Sequence, residues 1–257
     1  MYLYQDGNVQ ITPYIPVEKK SEMALIVFAG GGYSMRAIHE SVGYANFFCD
    51  KGITCFVVDY SVYPNAKDAL ADAQGSVQLI REIADEYGLN KNKIAVIGSS
   101  AGGHLTALLS TYRKKVVTKE LSVSTANRQS YMPNAQILCY PVISVYDQSI
   151  THKGSAIKFV GERWQEDGKE FSPDEIADEK TPPAFIWHTL EDGAVNVNNS
   201  IRYLQRLKKV GVSAELHIFP NGNHGLGLAG GKDKVFAHVA QWSELVLKWL
   251  KYIDFID

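Results

Sequence analysis

Ser100 lies at the centre of a short glycine-bounded segment, Gly98-Ser99-Ser100-Ala101-Gly102, that fits the pattern G-x-S-x-G. A run of apolar residues precedes this segment, and apolar residues at helical spacing follow it. A strand, a tight turn and a helix in this order expose a serine hydroxyl at the end of a sheet, where it can act as a nucleophile. We therefore predict Ser100 as a nucleophile, with Ser99 as its rival one position earlier.

A serine attacks poorly at neutral pH unless a base takes its proton. The candidate bases follow the serine pair in the chain and are His104, His152, His188, His217, His224 and His238. His224 is favoured because it lies in a polar, glycine-rich loop after the last predicted strand, where parallel sheets place their reactive groups. His188 and His217 lie within apolar strand runs, which indicates ordinary packed or edge positions.

A histidine base of this kind needs a carboxylate that orients it. Glu191 and Asp192 follow the predicted strand over residues 184–188 and precede a helical pattern. Both carboxylates are therefore expected in a loop at the same edge of the sheet as Ser100 and His224. Asp192 is the favoured partner of His224, and Glu191 is the alternative.

Three glycines, Gly30, Gly31 and Gly32, directly follow the first predicted strand. Glycine lets the backbone approach a ligand closely and aim its amides inward. A carbonyl under attack develops negative charge on its oxygen, and backbone N–H groups can stabilise that charge. We predict an oxyanion hole formed by the amides of Gly31, Gly32 and Ala101.

The same residues do not fit other glycine-rich or metal-binding motifs. A dinucleotide-binding fingerprint would need glycine where Met35 stands, and no Gly-Lys-Ser/Thr phosphate loop follows. The pair His39-Glu40 lacks the second histidine of a zinc-protease helix, because Gly43 occupies that position. We therefore expect neither a cofactor nor a metal.

The elements that must position these residues alternate along the chain. Continuous apolar runs at 24–29, 54–58, 94–98, 137–140, 184–188 and 214–219 are typical of strands buried on both faces of a sheet. Helical patterns lie between the strands, the clearest at 70–87 and 198–210, and a last one follows at 235–251. This alternation predicts an α/β protein with a doubly wound, mostly parallel sheet.

Residues 144–183 interrupt the alternation with charged residues, glycines and short apolar clusters. We interpret the chain as one domain over residues 1–257, with a cap or lid excursion at about 144–183. Tyr33, Trp164 and Trp187 are candidates for the wall of a small pocket, with the core as the alternative. Glu40 is interpreted as a solvated carboxylate at the start of a helix, with a position in the site as the alternative.

Composition excludes several classes of protein. The 257 residues are 46% hydrophobic and 21% charged, with a formal net charge of -2, as in soluble globular proteins. This charge offers no footprint for nucleic acid, and no apolar stretch approaches the ~20 residues that span a membrane. The count of 3 cysteines is odd and no secretory signal is evident, which predicts a cytoplasmic protein with reduced thiols.

Together these residues resemble the α/β-hydrolase superfamily, within it the small esterases of the hormone-sensitive-lipase and acetyl-xylan-esterase-like group. The resemblance covers nearly the whole chain. The segments that carry it are Gly30-Gly31-Gly32-Tyr33, Gly98-Ser99-Ser100-Ala101-Gly102-Gly103-His104, Pro182-Pro183-Ala184-Phe185-Ile186-Trp187-His188-Thr189 with Asp192, and Asn223-His224-Gly225. Many members carry a histidine before the three glycines, where this chain has Ala29.

The resemblance implies a serine-dependent carboxylic-ester hydrolase for short acyl groups, chiefly acetyl esters and including those of sugars. It assigns Ser100 as nucleophile, His224 as base and Asp192 as its orienter. An amidase or thioesterase with the same triad is the alternative, and a non-catalytic binding protein on a hydrolase scaffold is the alternative from another class. The expected partner is a small-molecule ester, without nucleic acid or membrane. The oligomeric state stays open, with a homodimer as one option.

Overall fold

The computed structural model describes residues 1–231 and 233–257. Within them, the strands of a seven-stranded sheet are β1 (Ile11–Tyr14), β2 (Ala24–Phe28), β3 (Thr54–Val58), β4 (Ile94–Ser99), β5 (Ala135–Cys139), β6 (Ala184–Thr189) and β7 (Ala214–Phe219). Their order is β1-β3-β2-β4-β5-β6-β7. Neighbours are parallel except for β1 and β3, which are antiparallel.

Strands were predicted at the positions of β2 to β7, whereas β1 was not. It is a four-residue edge strand, partly exposed, that contains Pro13. Proline cannot donate to a sheet and is tolerated at an edge. A short strand of this kind lacks the continuous apolar run by which the others are identified.

The helices flank the sheet on both faces. They are α1 (Ile38–Asp50), α2 (Ala69–Glu82), α3 (Ser100–Thr111), α4 (Lys153–Phe159), α5 (Trp164–Asp167), α6 (Pro173–Ile176), α7 (Asn198–Lys209), α8 (Lys234–Val239) and α9 (Trp242–Tyr252). The predicted helix over 235–251 is wrong as a single element, because the helix is interrupted between α8 and α9. For α1, the sequence predicted only a helix start near Glu40 and gave no extent.

Alternate residues of the central strands enter two separate cores. Ile26 and Phe28 of β2 pack with residues of α2 and α3 on one face. Leu25 and Val27 pack with residues of α1 and α9 on the other. The predicted doubly wound, mostly parallel architecture is therefore confirmed.

The segment 144–183 carries the short helices α4, α5 and α6 and contacts the elements that hold the serine. Phe159 packs against Tyr33, with ring centroids 5.0 Å apart. The carbonyl of Phe171 accepts a hydrogen bond from His104 Nε2 on α3, at 2.8 Å. That the segment acts as a lid stays a prediction. None of the helices in the two described ranges combines the length and apolarity that a membrane span needs.

Candidate active site

The turn between β4 and α3 presents Ser100 in a strained conformation. Its φ is +53°, in the left-handed region that non-glycine residues rarely adopt. A Cβ at Gly98 would overlap the carbonyl oxygen of Gly102, and a Cβ at Gly102 would overlap that of Phe28. The glycines of the G-x-S-x-G pattern therefore let α3 pass close to the sheet and hold the serine in this turn.

Ser100, His224 and Asp192 form a continuous chain of hydrogen bonds. His224 Nε2 lies 2.8 Å from Ser100 Oγ, and His224 Nδ1 lies 2.7 Å from Asp192 Oδ2. An ionised carboxylate can only accept, so Nδ1 carries the proton and Nε2 is the acceptor for the serine hydroxyl. Asp192 has a side chain only 1% exposed, against 23% for His224, so the imidazole is accessible from solvent while the carboxylate is covered.

Asp192 is held by donors on both of its carboxylate oxygens. Oδ1 accepts from the N–H groups of Ala194 and Val195, at 2.9 and 2.8 Å. Oδ2 also lies 3.2 Å from His188 Nε2. Burial opposes the charge, but the hydrogen bonds from His188, His224 and Val195 outweigh it and hold the pKa of Asp192 well below its usual range.

His188 is buried, as the strand pattern indicated, but it also serves the site. Its Nδ1 lies 2.8 Å from Ser200 Oγ and its Nε2 lies 3.0 Å from the carbonyl of Val195. The proton is therefore on Nε2, directed at Asp192 as well. No local pattern in the sequence signals this contact, because a spacing of four residues brings side chains together in a helix, whereas His188 lies in strand β6.

The rival candidates lie elsewhere in the site. Glu191 accepts hydrogen bonds from Asn221 Nδ2 at 2.8 Å and from the N–H of Gly222 at 3.3 Å. Ser99 Oγ is buried against the hydroxyl of Tyr44, at 2.7 Å. Neither residue is hydrogen-bonded to His224: Glu191 holds the loop at Asn221 and Gly222, and Ser99 links β4 to α1 through Tyr44.

The glycine segment, residues 29–34 and here called the oxyanion loop after its predicted role, lies against the serine. A Cβ at Gly30 would be 3.1 Å from Ser100 Cβ. Gly31 and Gly32 have φ values of +129° and +62°, and within the described chain neither of their N–H groups has an acceptor. Ala101 lies in the first turn of α3, where helical N–H groups have no intrahelical partner. These three amides are therefore available to a ligand atom.

Glu40 is not the solvated carboxylate that the sequence suggested. It is 3% exposed, because its side chain turns back from the start of α1 toward the oxyanion loop. Oε2 accepts from the N–H of Gly30 at 2.8 Å, and Oε1 accepts from the hydroxyl of Tyr140 at 2.6 Å.

The aromatic candidates for a pocket wall belong to the core. Tyr33 and Trp187 are 0% exposed and Trp164 is 6% exposed. The ring of Trp187 stacks on that of Trp242, with centroids 5.2 Å apart. Trp187 and Trp164 therefore stabilise the fold, and the Tyr33 hydroxyl is directed at His104.

The other histidines have structural contacts. His104 Nδ1 accepts from the hydroxyl of Tyr33 at 2.7 Å, and burial lowers the pKa of His104 to about 4. His152 caps α4 through Ser155, and His217 pairs with Glu215 at 2.6 Å.

As a whole, the arrangement can move a proton from a serine hydroxyl to an imidazole whose other nitrogen faces a buried, ionised carboxylate. The loop that carries the amides of Gly31 and Gly32 lies against the same serine through Gly30, and Ala101 follows that serine directly. This combination suits acyl transfer through a tetrahedral, negatively charged intermediate.

Comparison with known proteins gives consistent matches. A family model described as BD-FAE matches residues 12–207. An acetylxylan esterase of Xylanibacter ruminicola is 31% identical over 258 residues, which cover 98% of this chain and 50% of that protein. Endo-1,4-beta-xylanase B of Butyrivibrio fibrisolvens is 31% identical over 211 residues, 80% of this chain and 32% of that protein.

Among solved structures, an acetyl ester-xyloside bifunctional hydrolase from Caldicellulosiruptor lactoaceticus superposes with a TM-score of 0.85 at 38% identity. The match covers 97% of this chain and 89% of that one. The chain thus spans most of this solved structure, but about half of the acetylxylan esterase and about a third of the xylanase, at 50% and 32%.

Proposed function

Since the chain belongs to the BD-FAE family, within the esterase group of the α/β-hydrolases, we propose that it hydrolyses short acyl esters of sugars, chiefly acetyl esters. The resemblance stated from the motifs is confirmed by this membership. The observation that carries the proposal is the unbroken chain of hydrogen bonds from Ser100 through His224 to Asp192.

In the first half of the reaction, Ser100 Oγ attacks the ester carbonyl carbon while its proton moves to His224 Nε2. The carbonyl oxygen becomes an oxyanion, which the amides of Gly31, Gly32 and Ala101 stabilise. Asp192 faces the imidazolium that forms and keeps its tautomer and orientation. The carbon–oxygen bond to the alcohol then breaks, and His224 returns the proton to the leaving alkoxide.

In the second half, water replaces the alcohol. His224 takes a proton from the water, and the resulting oxygen nucleophile attacks the acyl group on Ser100. The second tetrahedral intermediate collapses, the proton returns to Ser100 Oγ, and the carboxylic acid leaves. The reaction balances with water as the only co-reactant, so the proposed mechanism uses no cofactor or metal.

The substrate class is supported by the relatives. One is named an acetylxylan esterase and a solved relative is named an acetyl ester-xyloside bifunctional hydrolase. Both names contain an acetyl group and a xylose-based carbohydrate. We therefore assign this chain acetylated sugars, with xylose-containing oligosaccharides as the first to test.

The test compares hydrolysis of p-nitrophenyl acetate, butyrate and octanoate by the wild type, Ser100→Ala and the matched control Ser99→Ala. We expect rates that fall with acyl length, a loss of at least about 10³-fold in Ser100→Ala, and most of the activity retained in Ser99→Ala. Release of acetate from acetylated xylo-oligosaccharides then tests the alcohol.

Substantial activity in Ser100→Ala would reject the proposed nucleophile. Faster hydrolysis of octanoate than of acetate would reject the short acyl group. An inactive wild type that still reacts with a fluorophosphonate at Ser100 would point to an amide or thioester substrate.

A further inference from the structure

Glu40 is a buried carboxylate beside the site to which the proposed reaction gives no part. It is 3% exposed, and burying a carboxylate is costly unless its oxygens are fully hydrogen-bonded. One oxygen accepts from Gly30 of the oxyanion loop and the other from Tyr140 at the end of β5. These two hydrogen bonds offset the cost of burial and connect Glu40 to two different parts of the site.

On one side, Glu40 fixes the peptide that precedes the free amides. Gly30 N–H donates to Glu40 Oε2 at 2.8 Å, and the carbonyl of Gly30 accepts from the N–H of Ala37 at 2.9 Å. A Cβ at position 30 would overlap the Glu40 carboxylate, so only glycine at this position leaves room for that carboxylate. With both peptide groups of Gly30 held, the backbone that leads into Gly31 and Gly32 is fixed next to Ser100.

On the other side, Glu40 reaches the loop that carries His224, residues 220–230, here called the histidine loop. The hydroxyl of Tyr140 donates to Glu40 and accepts from the N–H of Gly227 at 2.8 Å. The ring of Tyr140 also packs edge-on against that of His224, with centroids 5.0 Å apart.

The residue before Glu40 makes a parallel contact. His39 Nε2 lies 2.9 Å from the carbonyl of Gly225 and 3.8 Å from Glu40 Oε1. The first turn of α1 therefore contacts the histidine loop directly through His39 and indirectly through Glu40 and Tyr140.

We propose that Glu40 is a positioning residue that holds the oxyanion loop and the histidine loop in a fixed relation across Ser100. The inference rests on the proposed function, because it gives the reason why the amides and the base converge on one hydroxyl. Glu40 itself touches no reacting atom.

The chemistry of the side chain explains why a carboxylate is needed. A carboxylate can accept from Gly30 N–H and Tyr140 O–H at the same time. The amide of glutamine has nearly the same shape but a single acceptor oxygen, so it satisfies one donor and opposes the other with its own N–H group. Glu40→Gln therefore breaks one of the two links without removing side-chain volume.

The kinetic test uses p-nitrophenyl acetate with Glu40→Gln, Tyr140→Phe, the double variant and Glu86→Gln, which removes an exposed carboxylate. We expect kcat to fall about 10- to 100-fold in Glu40→Gln with KM changed less than about threefold, since small misplacement of reacting groups costs rate. The double variant should lose about as much as Glu40→Gln alone, because the two residues act in one link. Glu86→Gln should behave as the wild type.

A second readout does not depend on ester hydrolysis. In spectra of protein labelled with ¹⁵N-glycine, we expect Glu40→Gln to shift the amide signals of Gly225 and Gly227, and Tyr140→Phe to shift those of Gly31 and Gly32. The signal of Gly211, after α7, should stay in place in both variants and serves as the internal control.

Independent, multiplying losses of kcat in the two single variants would overturn the proposal, as would far-loop glycine signals that stay in place in both variants. If Glu40→Gln does not fold, Tyr140→Phe alone decides through the signals of Gly31 and Gly32. An inactive wild type would reject the proposed function, while the glycine spectra would still decide whether Glu40 joins the two loops.

Discussion

Asp192 is an ionised carboxylate that is almost completely buried, and its surroundings differ from those of its neighbour Glu191. Its side chain is 1% exposed, yet hydrogen bonds hold its pKa well below the usual range. The carboxylate therefore stays ionised through the whole pH range in which a histidine can act as a base. Glu191 faces Asn221 and Gly222 instead.

We predict that Asp192→Asn lowers kcat about 10³- to 10⁴-fold, because an amide at this position can donate to His224 Nδ1 and favour the wrong tautomer. Glu191→Gln, the matched control, should lose less than about fivefold, since the hydrogen bonds of Glu191 go to Asn221 and Gly222 and not to His224. Steady-state kinetics with p-nitrophenyl acetate checks both variants. A larger loss of kcat in Glu191→Gln than in Asp192→Asn would identify Glu191, and not Asp192, as the partner of His224.

For individual residues, local sequence patterns predicted the candidate site, but they gave no information on contacts between residues far apart in the chain. Ser100, the glycines of the oxyanion loop and His224 each lie in a short segment with a recognisable turn after a strand. The burial of Glu40 depends on Tyr140, which is 100 positions away in the chain, so no local pattern could reveal it. The pairing of His188 with Asp192 was hidden because a histidine in an apolar strand usually only packs.

Among the elements, α3 joins the oxyanion loop to the segment 144–183 through one neutral histidine. His104 accepts from Tyr33 through Nδ1 and donates to the carbonyl of Phe171 through Nε2. A second proton on Nδ1 would oppose the Tyr33 hydroxyl in a fully buried place. Burial accordingly lowers the pKa of His104 from 6.5 to about 4, although the Phe171 carbonyl partly opposes the shift.

This depressed pKa predicts a stability that depends on pH. As the pH falls below 6.5, the unfolded chain binds the proton before the folded one does, so folding stability decreases until about pH 4. The contribution is complete above pH 6.5, and its loss amounts to about 3 kcal/mol. Urea unfolding of the wild type and of His104→Gln at pH 7 and pH 4 measures it.

The free energy of unfolding of the wild type should fall by about 3 kcal/mol more than that of His104→Gln over this range. His238→Gln, which changes an exposed histidine, should follow the wild type. Parallel losses in the wild type and His104→Gln would contradict the assignment of the pH dependence to His104.

Element prediction succeeded where burial is uniform and failed where tertiary contacts decide. The central strands are buried on both faces and read as continuous apolar runs. The edge strand β1 has only Ile11 buried, so its pattern is weak. Between α8 and α9 the sequence has neither glycine nor proline, so it gives no sign that the helix ends there. It accompanies the stack of Trp242 on Trp187, a contact between distant parts of the chain.

Across the whole molecule, the two ends of the strands form opposite edges of the sheet, and these two edges have different roles. The carboxyl ends of the strands carry the candidate site, and the amino ends carry structural contacts. Arg81 at the end of α2 is buried there and donates to the carbonyls of Lys91, Ser130 and Met132 and to Asn134 Oδ1. It ties the loops that enter β4 and β5.

We predict that Arg81→Met destabilises the protein by about 3 kcal/mol or more, because several buried acceptors lose a charged donor. For a chain of this size the melting temperature should drop by roughly 6–12 °C. The kcat of the folded protein at 25 °C should change less than about twofold, since Arg81 lies at the opposite edge from Ser100. Thermal unfolding and active-site titration together check this separation, and a large fall in kcat per folded molecule would contradict it.

The left-handed backbone at Ser100 has a consequence for how this chain can be improved. A serine at a φ of +53° destabilises the folded state by on the order of 1–2 kcal/mol. Glycine at the same position would not carry that strain. A laboratory selection that rewards heat resistance alone would therefore favour loss of the proposed nucleophile. Thermostable descendants of this protein have to be screened for turnover and melting temperature together, because at this position the two demands oppose each other.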